Sequence, residues 1–195
     1  MAQTYGPPKI ITDGLVFCLD AGNPRSFTSG DSKAYNLMGG QTGSLVNNTS
    51  YSSDGGGCWR FDGTDDRMDC DTFTNIVGSG NLANYSIEIW VKGDSDLGSY
   101  DVAIGSKDTK FNEGGYSILF HVSAGYMADG TWGASTRRYP QTSTASTKTL
   151  WQNITVTYNG SNVYIYSNGI VGTGGNSETG DMAAAAEQFC IGGSD

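Results

Sequence analysis

Apolar and polar residues alternate most regularly over residues 150–173. Ile154, Val156 and Tyr158 interleave with Asn153, Thr155 and Thr157, and a period of two puts the apolar set on one face of a β-strand. Asn159-Gly160 and Asn168-Gly169 interrupt the pattern; both pairs suit tight hairpins, because Asn and Gly tolerate positive φ. The stretch therefore predicts a three-stranded antiparallel meander. In its middle strand Val163 and Ile165 share one face and Tyr164 and Tyr166 the other. Apolar surface on both sides predicts cover on both sides, hence two stacked sheets.

The same alternation predicts a long strand over 85–92, with Tyr85, Ile87, Ile89 and Val91 on one face and Glu88, Trp90 and Lys92 on the other. Shorter strands are expected at 15–19, 35–38, 44–46, 101–105, 116–122, 125–128 and 189–191. A further hairpin is expected where Trp59-Arg-Phe61 turns back through Asp62-Gly63-Thr64-Asp65-Asp66 to Met68 and Cys70. Residues 129–149, with Trp132, Arg137, Arg138 and Tyr139, read as a long loop, a kind of segment that is usually functional or flexible. The one helix-prone run, 181–188, is about two turns, too short to stand without tertiary packing.

Composition sharpens this picture. The 29 glycines and a hydrophobic share of 37% favour turns over long helices, and 195 residues suit one large all-β domain. Residues 1–13, with Gly6-Pro7-Pro8, form an extended arm that cannot join the middle of a sheet, and 14–195 form the domain. A net charge of −9 with no basic cluster beyond Arg137-Arg138 argues against nucleic acid. No run reaches the roughly 20 apolar residues of a membrane span, and the N-terminal residues lack the pattern of a secretory signal. Cys18, Cys58, Cys70 and Cys190 show no Cys-x-x-Cys spacing, which argues against zinc. They read as packed free thiols in a reducing compartment, or as one or two disulfides.

Little in the chain points to catalysis. The single histidine, His121, has no nucleophile elbow to serve. Asp62, Asp65, Asp66 and Asp69 gather carboxylates around one turn and are candidate calcium ligands, since hard cations take several oxygens. Against that stands the simpler role of Asp62-Gly63 as turn residues.

Four passages resemble a known family. Trp151-Gln-Asn-Ile-Thr-Val-Thr-Tyr-Asn-Gly-Ser-Asn-Val-Tyr-Ile-Tyr-Ser-Asn-Gly169 is similar to the central signature of laminin-G-like, concanavalin A-like lectin/glucanase domains. Gly14-Leu-Val-Phe-Cys-Leu-Asp-Ala-Gly-Asn-Pro24 resembles their opening strand, Phe61-Asp-Gly-Thr-Asp-Asp66 their aspartate-rich turn, and Tyr85-Ser-Ile-Glu-Ile-Trp-Val-Lys92 their first long core strand. The resemblance implies an all-β jelly-roll β-sandwich of two antiparallel sheets. Relatives usually continue past an Ile-Gly-Gly-Ser step into a closing strand; here that strand is expected to be missing, so that either the edge stays open, or a segment of another chain or of the N-terminal arm completes the sheet, and an open edge invites a partner's strand.

Glucanases of this kind carry Glu-x-Asp-x-x-Glu on one strand, whereas Glu88-Ile-Trp90 has Trp in place of the second acid. Two carboxyl groups are needed for glycoside hydrolysis, so no enzymatic activity is expected. Lectin-like recognition implies aromatic side chains for stacking, and Tyr126, Trp132 and Tyr139 near the long loop are the candidates. The chain also resembles laminin-G-like proteins built into virions of tailed phages, notably those of marine cyanobacteria. This implies a capsid-decoration or tail-associated protein, assembled in the host cytoplasm, that docks on other virion proteins as an oligomer or assembly component and presents loops to host glycans. A soluble carbohydrate-binding lectin is the alternative reading, and a glycoside hydrolase the third.

Overall fold

A computed structural model describes residues 10–72, 75–76, 84–93, 102–106, 116–121, 125–132, 136–137, 141–142, 149–173 and 188–192. Among them, every element is a strand except a 3-10 turn at Asp54–Gly56 and the helical residues 75–76. In chain order the strands are β1 (Lys33–Tyr35), β2 (Thr42–Val46), β3 (Ser50–Ser52), β4 (Cys58–Arg60), β5 (Arg67–Thr72), β6 (Tyr85–Val91), β7 (Val102–Ser106), β8 (Tyr116–His121), β9 (Gly125–Trp132), β10 (Thr136–Arg137), β11 (Gln152–Tyr158), β12 (Val163–Ser167), β13 (Ile170–Val171) and β14 (Gln188–Ile191). They form an eight-stranded sheet in the order β1-β2-β5-β14-β7-β8-β9-β10, a four-stranded sheet β13-β12-β11-β6, and the pair β3-β4. All pairings are antiparallel.

The core lies between the two larger sheets, as the alternation requires. Ile154, Val156 and Tyr158 of β11 and Val163 and Ile165 of β12 meet Met68, Cys70, Ile104 and Phe189 from the larger sheet in one buried cluster. A second aromatic group lies under the β3-β4 pair, where the Phe27 ring packs 5.5 Å from Tyr51 and edge-on at 5.6 Å from Trp59. The fold is thus the expected all-β sandwich of antiparallel sheets.

Several local expectations are revised. Residues 15–19 join no ladder. Instead Asn36 substitutes for a neighbouring strand: its Oδ1 accepts the Cys18 N–H at 2.9 Å and its Nδ2 donates to the Val16 carbonyl at 3.2 Å. The Asp62–Asp66 turn does not close a hairpin, because β4 pairs with β3 while β5 pairs with β2 and β14; the turn carries the chain from one sheet to another. Asn159-Gly160 sits in a four-residue loop, since Tyr158 faces Val163. The Asn159 Oδ1 holds that loop by accepting the Ser161 and Asn162 N–H groups at 3.1 and 2.8 Å. Asn168-Gly169 is the two-residue turn foreseen, with φ of 49° and 79° at its centre.

The supposed loop after residue 128 begins as strand, because β9 continues to Trp132 and pairs with β10. The last strand, β14, is not an edge: it is hydrogen-bonded on both sides, to β5 and β7. Among the described residues the edges are β1 and β10 of the larger sheet and β6 and β13 of the smaller. The helix-prone run 181–188 lies outside the described residues apart from Gln188, which opens β14. All four cysteines are free thiols, and burial pushes the Cys70 thiol far above its ordinary pKa.

Candidate functional site

The four-stranded sheet has one face on the core and one outside, and the outer face collects what the alternating pattern excluded from the core. Register fixes the neighbours: Trp90 lies opposite Asn153, Glu88 opposite Thr155, and Thr155 opposite Tyr166, which in turn faces Val171. The next row is Ser86, Thr157 and Tyr164. Trp90 is 63% exposed. Tyr164 and Tyr166 are half-buried and lean on each other with ring centroids 6.5 Å apart. Adjacent strands are about 4.8 Å apart, so Trp90 and Tyr166, two strands apart, flank a strip of roughly 10 Å.

Polar groups fill that strip in a connected set. Asn153 Nδ2 donates to Glu88 Oε1 at 2.7 Å, and the Thr155 hydroxyl donates to Asn153 Oδ1 at 3.0 Å. The backbone N–H of Asn153 is taken by the Asn168 side chain at 2.9 Å, which ties the strip to the Asn168-Gly169 turn. A carboxylate, an amide and a hydroxyl between aromatic rings match the needs of a sugar: apolar C–H faces that stack, and hydroxyls that seek fixed donors and acceptors. Glu88 is the one carboxylate among the described residues of this strip; it accepts from the Asn153 amide and stands opposite Thr155 in register, with an alcohol rather than a second acid beside it.

The residues singled out from sequence fall elsewhere. Tyr126 and Trp132 stand near opposite ends of β9, toward the far edge of the larger sheet, Tyr126 paired in register with Phe120 and Trp132 with Thr136. Tyr139 lies outside the described residues. Of the four aspartates, Asp62, Asp65 and Asp66 present ligand atoms within 4.8 Å of one another. Asp69 stands apart on β5, where it accepts from Arg67 Nε at 2.8 Å and lies 3.4 Å from the Cys190 thiol.

Within the trio the carboxylates already serve the backbone. Asp66 is buried and accepts the N–H groups of Asn48 at 2.8 Å and Asp62 at 3.3 Å. The Asp62 Oδ1 accepts from Thr64 at 2.8 Å and Asp65 at 3.4 Å. The Thr64 N–H above all, with the neighbouring N–H groups, holds the Asp62 carboxyl below its ordinary pKa. Three carboxylates this close can take a hard cation, with Asp65 offering the oxygens not engaged in the turn.

The outer-face site was half visible in the sequence. The placement of Trp90 and Glu88 opposite the core set followed from period two, but which strands would lie beside them did not.

Residues 62–195 match the family model of the concanavalin A-like lectin/glucanases superfamily. The chain belongs to this superfamily. Its fold is similar to that of domain 4 of AbnA, a GH43 extracellular arabinanase from Geobacillus stearothermophilus, whose structure is a complex with arabinotriose. The two share 16% sequence identity over 82% of this chain and 77% of that one, with a TM-score of 0.59. No curated protein matches the chain in sequence. The superfamily includes both binders and hydrolases, so fold alone does not choose between them.

Proposed function

We propose that this chain is a non-catalytic glycan-binding module whose recognition surface is the outer face of the four-stranded sheet. The observation that carries the reading is the Glu88–Asn153–Thr155 hydrogen-bonded strip set between Trp90 and the Tyr164–Tyr166 pair. One carboxylate supports binding of hydroxyls, whereas hydrolysis calls for an opposed pair. The similarity to a domain whose structure was determined with arabinotriose makes arabinan fragments a reasonable first probe. The finer placement, as a decoration or tail-associated virion protein docked on other virion proteins, is supported by the resemblance of its sequence to laminin-G-like phage proteins. Calcium at the Asp62, Asp65 and Asp66 turn is proposed as a stabilising ion rather than a participant in recognition.

The test is a glycan array followed by titration calorimetry on the best ligand, with W90A and Y166A as variants. Binding is expected, and each substitution should weaken it about tenfold, the scale of one lost aromatic contact. An array that stays blank, or a ligand held equally well by W90A, would overturn the assignment. Detection of the chain in purified particles tests the virion placement separately.

A further inference from the structure

Among the described residues β6 is an edge of the four-stranded sheet, and the chemistry of that edge can be read from its partner β11. Asn168 donates its N–H to the Asn153 carbonyl at 2.8 Å, and the Asn153 N–H returns to the Asn168 side chain, so the main-chain groups of Asn153 point away from β6. Bonding direction alternates along an antiparallel strand. Gln152, Ile154, Val156 and Tyr158 therefore aim at β6, where they meet Val91, Ile89, Ile87 and Tyr85. The intervening residues, Ser86, Glu88 and Trp90, direct their N–H and C=O groups outward, and among the described residues no strand receives them. Partial exposure agrees with this: Ile87, Ile89 and Val91 are only half-buried, whereas Ile154 and Val156 beside them are wholly buried.

We propose that this edge pairs with the same edge of a second copy, antiparallel about a two-fold axis at Trp90. The outward bonding groups restrict the possible registers to steps of two residues. A register centred on Glu88 sets that carboxylate against its own copy and is repelled. One centred on Ile89 places Glu88 against Trp90 and Lys92 against Ser86, leaving no opposite charges face to face. It also engages the Tyr85–Ser86 end, where residues 11–15 flank the strand across a groove of about 410 Å³. The register centred on Trp90 places Glu88 against the second copy's Lys92 and the reverse, pairs the two Trp90 rings, and sets Ile89 against Val91 on the core side. It uses only the stretch that residues 11–15 leave uncovered. The patch is thus complementary to itself, as a closed two-fold contact requires, and it joins two four-stranded sheets into one of eight. The two outer faces become continuous across the axis, but the pairing does not depend on what those faces bind.

Sedimentation velocity on the full chain over a concentration series tests this with wild type, E88K and K92E. Wild type is expected to be dimeric. E88K brings two lysines to each contact and K92E two carboxylates, so each variant alone should self-associate about thirtyfold more weakly. Mixed together they restore both opposite-charge pairs and should form a heterodimer. A wild-type monomer at every concentration, single variants that dimerise like wild type, or a mixture that stays monomeric would each overturn the proposal. Both side chains are exposed, and unchanged melting temperatures for the variants guard against a trivial loss of fold.

Discussion

Two glycines three residues apart in the meander separate conformational strain from close packing. Gly169 has φ of 79° and open space where a Cβ would stand. G169A therefore costs only the left-handed conformation, roughly 1–2 kcal/mol, offset by a stiffer unfolded chain worth about 0.4–1 kcal/mol. A net loss near ~1 kcal/mol is expected. Gly172 is the opposite case. Its Cβ would overlap the Gln141 carbonyl oxygen and fall 2.8 Å from the Gln141 carbonyl carbon and 2.9 Å from Thr142 Cα, all backbone. That backbone is pinned by the Gln141–Thr173 bridge, whose N–H···O bonds are 2.9 and 2.8 Å, and by the bond from Gly172 N–H to the Ile165 carbonyl at 2.8 Å. Overpacking costs about 1–3 kcal/mol, and each bridge bond loosened adds about 1 kcal/mol, so G172A should lose roughly 3 kcal/mol. Urea denaturation followed by tryptophan fluorescence reads both. With a slope near 2 kcal/mol/M the midpoint should fall by about 0.5 M for G169A and about 1.5 M for G172A. Equal shifts, or a larger one for G169A, would refute the close approach at Gly172.

Three further outcomes are expected. Millimolar calcium should raise the melting temperature of wild type by about 3 °C, the effect of a site binding at roughly 0.1 mM, and D65N should abolish the rise in a thermal-shift assay. W59F should be neutral or stabilising by up to about 1 kcal/mol in urea titrations, since the buried Trp59 indole N–H meets no acceptor among the described residues and phenylalanine removes the unpaired donor. Asp62 is depressed in the fold, so its stabilisation is complete above the ordinary carboxylate range and lost as pH falls through its lowered value. The difference in urea midpoint between wild type and D62N should accordingly shrink toward acid; a constant difference would show that the Thr64 and Asp65 N–H bonds contribute nothing.

The sandwich was legible in the chain because period two is a local property. Each of β6, β11 and β12 declares its buried face without knowledge of its neighbours, and the Asn168-Gly169 turn needs only two residues that accept positive φ. The hairpin expected at 59–70 failed for the converse reason: two adjacent strand-like runs joined by a turn pair only if no other strand competes, and β2, β3 and β14 compete successfully. The extended run at 15–19 was misread because the Asn36 amide can satisfy backbone groups as a strand does, and nothing in a polar loop announces that.

What the sequence determined, then, was which side chains avoid water: Ile154, Val156, Val163 and Ile165 are buried because alternation leaves them no other face. What the tertiary structure decided was adjacency. Strand order brings Glu88, separated by 65 residues, within 2.7 Å of Asn153, sets Trp90 and Tyr166 on one outer surface, and, among the described residues, leaves β6 at an edge. Pairing across such separations is governed by the competition of all strands for shared core area, a global balance that no window of neighbouring residues contains.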